Sequence, residues 1–180
     1  MGDMINNYTP ENEYKGYLAR EAFIKAHKAN FNNCIYLRTK KDSPLDWKYH
    51  IDLMIIYPDG TIESYDIKDN MVIHSIYDEC FTIELQNNNG IEGSLYGRQQ
   101  YFSVQHKNCD EIFWKFNRKL MADWLNNGKI KDEFVDNLND AVYKKYKRIH
   151  QNKDDVLTLV PIKDVMCEVK VSQLIYTNYD

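Results

Sequence analysis

The sequence predicts an α/β domain with a mixed central β-sheet flanked by helices. Three observations predict it: helical and strand-like periods alternate along the chain, a Pro-Asp-Gly turn joins two strand-like runs, and 180 residues with 43% hydrophobic content can build a core. No repeat, low-complexity segment or linker interrupts residues 1–180, so a single domain is expected.

Residues 10–29, PENEYKGYLAREAFIKAHKA, have helix chemistry: Thr9 can cap, Pro10 suits the first turn, acids come early and lysines late. Tyr14, Tyr17, Leu18, Ala22, Phe23 and Ala26 recur at helical spacing and define the expected buried stripe, with Glu21 in or beside it. CIYLRT reads as a strand, KKDSPLD as a charged loop, and WKYHIDLMII with TIESYDIKDN as a strand pair. MVIHSIYDECFTIELQ suggests one or two more strands. After the loop signal NNNGIEG, a helix is expected from about Ser94 to His106. EIFWKF is strand-like, and NRKLMADWL resumes helical spacing through Leu120, Met121 and Trp124. KDEFVDNLNDAVYKKYKRIHQNK reads as a polar helix, followed by a strand VLTLVPI and a mixed tail.

A formal net charge of −4 excludes a basic, sequence-independent DNA-coating protein, so any nucleic-acid contact must be local. Cys34, Cys80, Cys109 and Cys167 form no C-x-x-C pair and have no histidine at zinc-ligand spacing, which points to reduced, mostly buried thiols. The first residues lack the charged-then-apolar run of a signal peptide, and no apolar stretch reaches membrane-spanning length. A cytoplasmic protein with no membrane partner is the expectation.

The turn Tyr57-Pro58-Asp59-Gly60-Thr61 suits a three-residue hairpin loop, with Pro58 at the right-handed position and Gly60 at the left-handed one. If Tyr57 faces Thr61, Asp52 opposes Asp66 and His50 opposes Lys68, all on one sheet face. Met54, Ser64, Ile56 and Ile62 continue that face toward the turn. Two carboxylates opposed across a strand pair repel, whereas a divalent cation uses such hard oxygen ligands. A lysine on the same face can orient a water or neutralise charge developing on phosphorus. The pattern outlines a phosphodiester-cleaving site.

Asp52, the Pro-Asp-Gly turn and Asp66-Ile67-Lys68 resemble the core of the PD-(D/E)xK nuclease superfamily, which includes restriction endonucleases and phage junction-resolving enzymes. Ile51 stands where that signature carries proline, and Asp66 replaces the commoner glutamate. The resemblance covers about residues 10–126. It implies a restriction-endonuclease-like core, Mg2+ or Mn2+ as cofactor, and DNA as the favoured nucleic-acid partner. It also implies Asp52 and Asp66 as metal ligands, Lys68 as the catalytic lysine, and an acid from the preceding helix, for which Glu21 is the candidate.

Glu84 and Gln86 share a strand face, so Glu84 is a rival acid, and His50 is a candidate ligand at the sheet end. Arg98, Gln99, Gln100 and Tyr101, on the expected helix after the core, are candidates for nucleic-acid contact, as are Lys144 and Lys145. Cations at 38, 40, 41 and 48 near the hairpin have similar standing. His27, His74, His106 and His150 form no cluster and read as structural. The leading expectation is a metal-dependent endonuclease, with a homodimer left open. The alternatives are a catalytically inactive nuclease-like binding or inhibitor protein of phage or mobile-element origin, and an RNA endonuclease of the cap-snatching kind, which would need a histidine ligand such as His50.

Overall fold

Helix α1, Pro10–Asn30, lies against one face of a sheet whose nearest strands contribute Leu53, Ile55, Tyr65, Ile67 and Phe113. The computed structural model describes residues 10–41, 43–69, 71–74, 76–87, 90–106, 109–150, 153–169 and 171–175. Thr9, the expected cap of α1, lies outside them. The buried line of α1 runs through Ala19, Phe23, Ala26 and His27, while Tyr14, Tyr17 and Leu18 are exposed. This corrects the expected stripe: two alanines let the helix approach the sheet closely, and the bulkier tyrosines turn outward.

The strands are β1 (Ile35–Arg38), β2 (Leu53–Ile56), β3 (Ile62–Lys68), β4 (Met71–His74), β5 (Asp78–Gln86), β6 (Tyr101–His106), β7 (Cys109–Asn117), β8 (Phe134–Val135), β9 (Lys145–His150), β10 (Lys153–Pro161) and β11 (Val171–Ile175). They form two mixed sheets, one of six strands in the order β1-β2-β3-β6-β7-β11 and one of five in the order β4-β5-β10-β9-β8. Within the first, β3 and β6 run parallel and the other pairs antiparallel. Helix α2 (Pro44–Trp47) sits between β1 and β2, α3 (Arg118–Asn126) follows β7, and α4 (Ile162–Glu168) follows β10. The α/β class with a mixed, helix-flanked sheet is therefore as expected.

Alternation along β6 and β7 sends Phe102, Val104 and Phe116 to the face away from α1. There they meet Phe81 and Ile83 of β5, Met121 and Leu125 of α3, and Val165 of α4. The connection from β3 to its parallel neighbour β6 passes through β4 and β5, so one chain segment leaves the first sheet, builds the hairpin of the second, and returns.

Two expected helices are strands. The stretch from Ser94 to His106 holds a short 3-10 turn, Ser94–Tyr96, and then β6. Gly97 interrupts any helix there, and Phe102 and Val104 alternate with Ser103 and Gln105 at the strand period. The stretch 131–153 holds β8, a 3-10 turn at Leu138–Asp140, and β9 rather than a polar helix. Of the cysteines, Cys80 is buried, Cys34 half-buried and Cys167 exposed, so burial is less general than expected. The side chain of Cys109 lies outside the described residues. Among the described residues, no helix is long and apolar enough to cross a membrane.

Candidate metal and catalytic site

The hairpin turn forms as its residues dictate. The Tyr57 amide donates to the Thr61 carbonyl at 2.9 Å, and Gly60 takes φ +85°. The ladder then pairs Ile56 with Ile62, Met54 with Ser64 and Leu53 with Tyr65, which is the expected register. Beyond Leu53 it slips by one residue, because the Asp52 amide donates to the Tyr65 carbonyl at 2.8 Å. Asp52 therefore does not face Asp66 as a ladder pair. Its carboxylate turns into the strand gap, where Oδ2 accepts from the Ile67 amide at 2.7 Å. His50 lies outside the strand with φ +53°, so its expected cross-strand pairing with Lys68 is replaced by a turn of the backbone.

Asp66 and Lys68 share one face of β3. The Lys68 ammonium is 2.9 Å from Asp66 Oδ2, with side-chain exposures of 27% and 6%. The approach is off the line of a hydrogen bond, and Oδ2 remains buried without an aligned donor. Strand β5 adds the third acid. Although β5 belongs to the second sheet, Glu84 acts electrostatically on both Lys68 and Asp66. Gly93 lets the following chain press onto this strand, since a Cβ there would meet the Glu84 carbonyl oxygen at 2.4 Å. His50 closes the group: its Nδ1 is 3.7 Å from Glu84 Oε2, and its Nε2 donates to the Glu92 carbonyl at 3.3 Å.

Burial, and then the neighbouring Asp66 charge, holds the Asp52 carboxyl well above the usual carboxylate range. Burial likewise pushes Glu84 up to about 7, against the opposing pull of Lys68. Burial works to lower the Lys68 ammonium, but the Asp66 carboxylate, helped by Asp52 and Glu84, outweighs it and raises the group. Burial lowers His50, so its ring favours the neutral form. Three carboxylates thus face the Lys68 ammonium, with the Arg20 guanidinium also acting on Asp52, and full ionisation would leave negative charge in excess in a poorly solvated place.

Glu21 does not join them. Its carboxylate takes a bidentate pair from Arg38 at 2.7 and 2.8 Å on the outer edge of the first sheet, and this pair holds its pKa below the ordinary value. Helix α1 instead turns Arg20, the preceding residue, toward Asp52, whose carboxylate it stabilises electrostatically. Nε of Arg20 is buried with no hydrogen-bond partner among the described residues, as is Thr39 Oγ1 beside the Thr39 amide that donates to the Asp52 carbonyl. No local signal in the sequence points to Arg20, which lies outside the stripe expected to be buried. Asp155 and Arg148, paired at 2.5 Å on β10 and β9, also act on Glu84 electrostatically. Both come from distant sequence: Arg148 belongs to the basic run 144–148, and no local pattern signals Asp155.

The candidates for nucleic-acid contact separate. Arg98 is exposed and lies 4.6 Å over the Tyr49 ring, next to His50. Gln99 is fully buried, donating to the Ser94 carbonyl at 2.6 Å, and so is structural. Gln100 Oε1 accepts from the Ser64 amide at 2.9 Å, which ties it to the β3 backbone. Tyr101 faces α1, with the Lys115 ammonium 4.0 Å from its ring. Lys144 and Lys145 stand at the start of β9 rather than on a helix, paired with Glu133 at 2.7 Å and Asp132 at 2.5 Å. A cleft of about 370 Å³ lined by Gln86, Tyr96, Asn126, Phe134, Lys145 and neighbouring apolar side chains lies beside Gln86 and includes none of the three acids. Compared with protein-family models, curated proteins and solved structures, the chain matches none.

Proposed function

We propose that this chain is a divalent-metal-dependent endonuclease of the PD-(D/E)xK kind, with a restriction-endonuclease-like core, acting on phosphodiesters of DNA. The observation that carries the reading is the nearly buried Asp66–Lys68 pair on β3, 2.9 Å apart, with Asp52 from the end of β2 and Glu84 from β5 near enough to act on both electrostatically. Folding gains nothing from such a cluster, and a divalent cation would offset its excess negative charge. The unpartnered Nε of Arg20 and Oγ1 of Thr39 around Asp52 fit a site completed by an ion, water or substrate oxygen.

Asp52, Asp66 and Glu84 would hold Mg2+ or Mn2+, which when bound supplies Lewis-acid stabilisation of the phosphodiester and a more acidic water. Lys68, already fixed against Asp66, orients the attacking water and offsets negative charge that grows in the transition state. Arg20 offers a guanidinium suited to a phosphate oxygen on the side of Asp52. His50, held through Nε2 by the Glu92 carbonyl, lines the side of the cluster next to Glu84.

A second reading, a nuclease-like binding protein without activity, is favoured by one observation. Among the described residues no three His, Cys, Asp or Glu groups stand close enough together to hold an ion as they are placed. Incubation with Mg2+ or Mn2+ and linear, branched and single-stranded DNA, and RNA, separates these readings. The nuclease reading expects cleavage of at least one substrate, and a Mn2+-induced rise in Tm that shrinks in Asp52→Asn. No cleavage and equal Tm shifts would leave the binding protein.

A further inference from the structure

The loop between β1 and β2 leaves and re-enters the site. The Thr39 amide donates to the Asp52 carbonyl at 2.9 Å at one end, and His50 faces Glu84 at the other. Between them, α2 is capped by Ser43, whose Oγ accepts from the Asp46 amide, and the chain then turns back as the His50 amide donates to the Asp46 carbonyl at 3.1 Å. The loop is braced from outside. The Arg98 amide donates to the Tyr49 carbonyl at 2.9 Å, Asn87 Nδ2 donates to the Trp47 carbonyl at 3.3 Å, and a Cβ on Gly97 would come within 2.9 Å of the Tyr49 carbonyl oxygen. A rigid lip stands beside the acids.

The lip brings exposed aromatic surface and cations together. Trp47, which has no need to be outside for folding, is 40% exposed. Tyr49 is covered by Arg98 at 4.6 Å and approached by Lys48 at 5.5 Å. Elsewhere, Lys119, Lys129, Lys144, Lys145, Lys147 and Arg148 each hold a carboxylate. Lys40, Lys48 and Arg98 have no carboxylate partner among the described residues. In a chain of net charge −4, unpaired cations interleaved with aromatic rings beside an acidic centre call for an anionic ligand with flat faces.

We infer that Trp47, Tyr49 and Arg98 form a stacking platform for single-stranded nucleic acid, delivering the strand to the acids behind it. The inference rests on the proposed nuclease site for its direction, but not for its binding chemistry. An unstacked base lies on the exposed indole or on the outer face of the Arg98 guanidinium, while Lys40 and Lys48 meet the phosphates. A duplex hides its base faces and has only its phosphates to offer, so it gains less from this surface.

The test is fluorescence anisotropy in EDTA, so that no cleavage occurs, with end-labelled strands of about 12 nucleotides. The probes are mixed-sequence single-stranded DNA, the matching RNA, and the blunt DNA duplex. The expected result is tighter binding of a single strand than of the duplex. Trp47→Ala and Arg98→Ala should each weaken single-strand binding by about tenfold with Tm unchanged, and Lys119→Ala, remote from the lip, should not. The DNA and RNA arms identify the preferred sugar. Single-strand affinities of Trp47→Ala and Arg98→Ala equal to wild type, or a preference for duplex, would overturn the inference. If wild type cleaves with Mn2+ while the lip variants bind and cleave normally, only the platform fails. If the lip variants lose single-strand binding while wild type cleaves nothing, the platform stands and the nuclease reading fails.

Discussion

Replacing Lys68 with alanine removes the one ammonium that faces Asp52, Asp66 and Glu84. Its Nζ lies 2.9 Å from Asp66 Oδ2, and the two side chains are 27% and 6% exposed. Deleting one partner of a fully buried pair costs about 3–5 kcal/mol, because the remaining charge is stranded. The cost here is smaller, about 2 kcal/mol, since water reaches part of the lysine and a stranded carboxyl can take up a proton. For a chain of 180 residues that is a fall in Tm of about 4–8 °C. Divalent-ion binding moves the other way. Without the ammonium the acids carry more uncompensated charge, so the Mn2+-induced rise in Tm should be at least as large as in wild type. Turnover should fall by about 10²-fold or more, the scale for a group that orients water or stabilises charge in the transition state. Thermal melts with and without Mn2+, paired with single-turnover cleavage of a labelled substrate, read all three quantities. Near-normal cleavage by a folded Lys68→Ala protein would refute the role of the lysine, and loss of its Mn2+ response would refute the charge reasoning.

A carboxyl raised in the folded state binds protons that the unfolded chain has released, so the metal-free protein should lose Glu84's contribution as pH rises from the ordinary carboxyl range through about 7. His27, buried and lowered to about 4, acts in the opposite sense, costing stability as pH falls from its ordinary value toward 4. The Glu84 share is therefore read as the difference in Tm between wild type and Glu84→Gln across this range, and a difference independent of pH would contradict the placement of Glu84. Gly93→Ala forces a Cβ to within 2.4 Å of the Glu84 carbonyl, so a destabilisation of about 1–3 kcal/mol with a weakened Mn2+ response is expected in melts. Lys115, paired with Glu63 at 2.9 Å beneath α1, lies apart from the acids. Lys115→Met should cost about 3 kcal/mol in urea unfolding and leave the Mn2+ shift intact.

Sequence alone determined what depends on neighbouring residues. Pro58 and Gly60 fix the backbone of a three-residue turn, and that turn sets the β2–β3 register, so Asp66 and Lys68 could be placed on one face before any tertiary contact was known. The extent of α1 was legible from its first-turn proline and its late lysines. Which face of α1 is buried was not, because Tyr14 and Tyr17 are amphipathic, and only the sheet's demand for close approach selects the alanines. That selection turned Arg20 rather than Glu21 toward Asp52. The stretches that became β6 and β9 carry helix-compatible residues, and their state was decided by partners far away in sequence, β3 and β7 for one and β8 and β10 for the other. Glu84 had the right residue type and strand face, but its approach to Lys68 depends on the chain crossing from one sheet to the other. Turn geometry and side-chain period are local properties of a few residues, whereas strand pairing is a competition among distant segments that only the assembled core resolves.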